Sequence, residues 1–76
     1  MTTDEFLTRL DEIFNRSAGT TKRGESLADS EVWDSLAMLG LIALADGEFG
    51  VRLTGKQLRA VTNVDDILGL LAGKLT

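Results

Sequence analysis

The chain has 76 residues, a 43% hydrophobic content and a formal net charge of −4, which reads as one domain over residues 1–76 and is too apolar for a disordered chain. With no cysteine and no histidine, it lacks a disulfide, a thiol nucleophile, a thiolate metal site and the commonest general base, so a self-sufficient enzyme is not expected. The acidic balance argues against nucleic acid, because phosphate binding needs clustered Lys and Arg.

Thr2, Thr3, Asp4 and Glu5 form a capping cluster ahead of Phe6, Leu7, Leu10, Ile13 and Phe14. That spacing predicts an amphipathic helix over residues 3–15, with Arg9, Asp11, Glu12 and Arg16 on its outer face. The N-terminal segment lacks the basic-then-apolar order of a signal peptide, and no apolar run approaches the roughly 18 residues a membrane crossing requires. Together with the missing cysteine, this leads to the expectation of a cytoplasmic chain with no membrane partner.

Residues 16–31 are polar, contain Gly19 and Gly24, and show no sustained period. They read as a long loop anchored by Leu27, Val32 and Trp33, of the kind that is functional or mobile in compact domains. Lys22 and Arg23 are the chain's basic pair, either a solvated loop tip or a partner contact.

The stretch from Val32 to Phe49 organises the rest. Asp34 and Ser35 are both capping types, and Met38, Leu41, Ile42, Ala45 and Phe49 then follow at helical spacing as a buried stripe. The opposite face carries Ala37, Gly40, Ala43 or Leu44, and Gly47, small and nearly uncharged. Gly40 costs the helix about 1 kcal/mol relative to alanine. That cost is explained either by close approach of a partner or by drift.

Gly47 to Gly50 read as a helix stop, Val51 to Leu53 as a short extended piece, and Thr54 to Val61 as a short helix with Leu58 and Val61 inward. Thr62 or Asn63 caps a last helix, Val64 to Leu75, whose Val64, Ile67, Leu68, Leu71 and Leu75 form a further stripe. The expected fold is all-α: a small four-helix bundle of three longer helices and one short third helix, with a long loop between the first two.

Charge is unevenly distributed. Between Gly24 and Val51 lie Glu25, Asp29, Glu31, Asp34, Asp46 and Glu48, with no Lys or Arg among them. This negative middle would steer a basic partner surface toward the helix start, and it also complements the helix dipole.

Three segments together resemble the acyl carrier proteins. Asp34-Ser35-Leu36 is similar to the family's attachment motif. Glu48-Phe49-Gly50-Val51-Arg52-Leu53 resembles its acid-Phe-Gly-Ile/Val-x-Ile/Leu segment. Thr62-Asn63-Val64-Asp65-Asp66-Ile67 resembles the Thr-x-x-Asp-hydrophobic opening of its last helix. The likeness spans about residues 3–75, in the family's order and spacing.

The resemblance implies an acyl-carrier type of bundle and a 4′-phosphopantetheine arm, derived from coenzyme A and joined covalently to Ser35, that holds acyl or aminoacyl groups as thioesters. Asp34 and Leu36 would flank the attachment point; Ser35 alone reads first as a plain N-cap, and the flanking segments turn that reading toward attachment. The implied partners are a phosphopantetheinyl transferase, an acyl- or aminoacyl-loading ligase and downstream enzymes, docking on Asp29, Glu31, Leu36, Ala37, Leu39, Gly40, Asp46 and Glu48. Met38, Leu41, Ile42, Phe49, Leu58 and Val61 are core first, and in such carriers the same interior shelters cargo. No catalytic or metal-binding residue is implied, and a monomer is expected.

The outward face of the second helix has fewer acids than the family usually shows. Trp33 also departs from the smaller residue common in fatty-acid carriers. It reads as a core anchor or a cargo gate, and both departures point to a dedicated, specialised pathway. The reading from another class is a helical interaction module that never receives the arm.

Overall fold

Each helix of the protein begins at a side chain able to bond the free amides of a first turn. In the computed structural model, which describes residues 1–76, the elements are α1 (Thr3–Ile13), α2 (Ser35–Phe49), α3 (Gly55–Arg59) and α4 (Val64–Leu70). Thr2 accepts the Glu5 amide at 3.1 Å, while Glu5 reaches back to the Thr2 amide at 3.1 Å. Thr54 with Gln57 and Asn63 with Asp66 repeat this reciprocal box at α3 and α4. Such caps satisfy donors that a helix leaves unpaired, each worth about 1 kcal/mol.

All regular structure is helical, and an isolated bridge between Ser26 and Asn63 is the sole strand-like pairing. The lengths differ from those read in the sequence. Helix α1 stops at Ile13, and Asn15 then takes a left-handed φ of 58°. Helix α4 ends at Leu70, five residues before the expected Leu75, so there are two long helices and two short ones. Its last stretch tightens into Leu71 N–H to Leu68 O (3.1 Å) and Ala72 N–H to Gly69 O (3.2 Å), and Gly73 turns left-handed. Gly69 and Gly73 weaken the helix where the apolar spacing alone would extend it.

Thirteen apolar residues form the buried core, drawn from all four helices, from Phe14, Val61 and Leu71 just past helix ends, and from Leu27 and Leu53 in the connections. Along α2 the fully buried line is Ala37, Leu41 and Ala45; Met38, Ile42, Leu44 and Phe49 are half-buried at its edges. The expected stripe is therefore rotated. Because α2 is apolar nearly all round, its periodicity does not fix which side faces inward, and the approach of α1 decides. Ile13 of α1 lies against Gly40, where a β-carbon would come within 3.4 Å of its Cγ2. Phe6 and Phe49 pack with ring centroids 6.2 Å apart.

The loop from α1 to α2 is tied down at several points. Asp11, expected on the outer face of α1, is only 1% exposed and accepts the Gly19 and Thr21 amides at 2.8 and 2.7 Å. Arg16 pairs with Glu25 at 2.8 Å and stacks over Phe14 at 5.4 Å. Leu27 N–H donates to Thr62 O (2.8 Å), and Val64 N–H to Glu25 O (2.9 Å). Trp33 meets Phe14 edge-on, with centroids 6.2 Å apart. These ties bring the loop's end, and with it the start of α2, against α1.

Candidate functional site

The start of α2 divides its tasks between two neighbouring side chains. Asp34, in an extended conformation, is the N-cap and accepts the Ala37 amide on Oδ1 at 2.8 Å. Ser35 is the first helical residue. It is exposed, and its hydroxyl forms no hydrogen bond within the protein. The serine is thus not the cap. The amides of Ser35 and Leu36 have no backbone acceptor, whereas the next unclaimed donor, Met38 N–H, bonds Asp34 O at 3.0 Å. A helix start of this kind favours an anion at the serine oxygen through free N–H groups and the helix dipole.

Two apolar side chains stand in solvent beside that serine. Leu36 is 77% exposed and Leu39 is 63% exposed. They are the large hydrophobic side chains of the molecule that the core does not cover. Asp29, Glu31, Asp34 and Asp46 are exposed as well. Glu48 is exposed but engaged, pairing with Arg9 of α1 at 3.4 Å.

Two residues expected on the partner face are occupied within the fold. Ala37 is only 3% exposed because it stands at the head of the buried line of α2. Gly40 meets Ile13, so the close approach that its missing side chain permits is made by α1.

The expected cargo residues separate into three groups. Met38 and Ile42 line an open depression of about 220 Å³ whose other walls are Ser35, Leu39, Gly55 and Arg59. Leu41, Leu58 and Val61 are closed into the core. Phe49 packs on Phe6 and does not line the depression. A second depression of about 330 Å³ lies between the end of α1 and the start of α2, lined by Ile13, Phe14, Asn15, Glu31, Val32, Asp34, Leu36 and Ala37. Lys22 and Arg23 share a third, of about 340 Å³, with Asp4 and Asp11, so its charges offset.

Arg59 and Gly55 escaped the sequence reading. The apolar spacing of α3 identifies Leu58 as its buried residue, but nothing in that spacing shows which polar side chain borders α2. No group of acidic residues is arranged to hold a metal ion, and no helix is long and apolar enough to cross a membrane. Compared with family models, curated proteins and solved structures, the chain shows no match.

Proposed function

We propose that the protein is an acyl carrier whose Ser35 takes a 4′-phosphopantetheine arm from coenzyme A and presents acyl or aminoacyl thioesters to separate enzymes. The observation that carries this reading is the division at the start of α2: Asp34 does the capping, which leaves the Ser35 hydroxyl exposed and without a partner. A serine held by its own helix would lose that bond on modification, and Ser35 has none to lose. The arm supplies the reactive thiol that a chain without cysteine lacks.

The surroundings fit such a group. The unpaired first-turn amides favour a phosphodiester oxygen, and the depression beside Ser35 gives the arm an apolar wall of Met38, Leu39 and Ile42. Leu36 and Leu39 offer apolar contacts to a transferase, a loading ligase or a downstream enzyme. Asp29, Glu31, Asp34 and Asp46 offer charge to basic residues on those partners. The four helices and their long first loop agree with the acyl-carrier type of bundle, working as a cytoplasmic monomer in a dedicated biosynthetic pathway.

Intact mass before and after incubation with coenzyme A and a broad-specificity phosphopantetheinyl transferase tests the reading. One added arm, absent from Ser35→Ala, is the expected result. A folded protein that gains nothing would instead be a helical interaction module, using exposed Leu36 and Leu39 for its contacts.

A further inference from the structure

Charge changes sign abruptly after α2. Arg52, Lys56 and Arg59 follow one another with no acidic residue between Val51 and Asn63. All three are exposed, and none takes part in the molecule's ion pairs, which are Arg9 with Glu48 and Arg16 with Glu25. A cationic segment with no internal counter-charge therefore lies directly after the acidic middle of the chain.

Arg59 differs from the other two in where its side chain lies. Its guanidinium folds back along α3 over Gly55, where a β-carbon would stand 3.1 Å from Nη1. The missing side chain leaves room for the guanidinium there, and both residues wall the depression that Ser35 opens into. Of the six residues lining that depression, Arg59 is the charged one.

Resting on the carrier reading, we propose that Arg59 is the positioning residue for the arm: its guanidinium holds the phosphodiester formed on Ser35. Three physical reasons lead there. A phosphate on Ser35 sets a negative charge next to the Asp34 carboxylate, with Asp29 and Glu31 close in sequence, so a cation at the same site offsets repulsion that would otherwise weaken the helix start. A guanidinium presents several N–H donors in a planar fork suited to phosphate oxygens. At about 220 Å³, the depression is below the roughly 300 Å³ where small-molecule pockets begin. It therefore suits the near end of the arm, the phosphate with its adjoining gem-dimethyl group against Met38, Leu39 and Ile42. The arm's distal end and its cargo would lie outside.

A cycle of four proteins tests this: apo and arm-bearing forms of the wild type and of Arg59→Gln, each melted at low and high salt. Intact mass first confirms the arm on Ser35. The arm should raise Tm of the wild type relative to Arg59→Gln by about 2–5 °C at low salt, as expected of one charged pair in a domain of this size. High salt should remove most of that difference, and Arg59→Lys should recover part of it. The phosphorus resonance of the diester should also shift between the wild type and Arg59→Gln. If the arm is attached but its effect on Tm and the resonance are the same in both proteins, the clamp is overturned while the carrier reading stands. If no arm is attached, both fall together.

Discussion

Asp11 shows how much one side chain holds in place. Burial opposes its charged form, yet hydrogen bonds from Thr21, Gly19 and Thr20 outweigh that and hold its pKa below the ordinary carboxylate value. The Arg16 guanidinium, bonded to Glu25, lowers that carboxylate in the same way. Asp11→Ala would leave the Gly19 and Thr21 amides without their acceptor, and urea unfolding should show a loss of about 3 kcal/mol. A folded pKa below the unfolded one means that the unfolded chain binds more protons. The contribution is therefore complete above about pH 5 and is lost as pH falls through about 4 toward the lower folded values. In Asp11→Asn, the urea midpoint should vary less over that window. An aspartate on α1 with a glycine-containing polar loop after it gives no sign in the sequence that the two meet, so the helical spacing assigned Asp11 to solvent.

At the scale of elements, α2 and α4 were legible to different degrees. The start of α2 could be read from Asp34 and Ser35, because capping is a local property of residue type and backbone. Which face of α2 is buried could not, since the exposed Leu36 and Leu39 are as apolar as the residues that are covered. The covered residues are Ala37, Leu41 and Ala45, and α1 comes close at Gly40, where Ile13 takes the space of the missing side chain. The same contact predicts the behaviour of Gly40. A single added methyl meets Ile13 at an ordinary 3.4 Å, so Gly40→Ala should stabilise the protein by about 1 kcal/mol through helix propensity. Gly40→Leu should cost about 1–3 kcal/mol by pushing α1 away. Thermal melts of the two variants should move in opposite directions. For α4, glycine at two positions outweighed an apolar stripe that ran on to Leu75. The proposed attachment serine, the two exposed leucines beside it and its acidic neighbours were all present in the sequence. The groove that joins Ser35 to α3 is tertiary and had no local signal.

The whole molecule is tightly drawn in around its long loop. Its radius of gyration, 11.1 Å, is close to the about 11 Å typical of a folded chain of this length, so the loop follows the surface of the bundle. Asp29, Glu31 and Asp34, exposed and outside the ion pairs, precede Ser35 closely in sequence, and Glu31 and Asp34 wall one depression at the start of α2. A basic partner should be drawn there by long-range attraction. If Ser35 takes the proposed arm, the kcat/KM for its transfer should fall several-fold between about 0.05 and 0.5 M salt, and Asp29→Asn with Glu31→Gln should flatten that dependence. A salt-independent rate would leave apolar contact at Leu36 and Leu39 as the main attraction.

The edge-on packing of Trp33 against Phe14 has a spectroscopic consequence. Trp33 is the one tryptophan in a chain without tyrosine, so near-ultraviolet emission from the whole protein originates at a single half-buried ring two residues from Ser35. The protein therefore carries its own fluorophore beside its candidate attachment point. Changes at the start of α2 can be followed in real time, without a label, in the unmodified native chain.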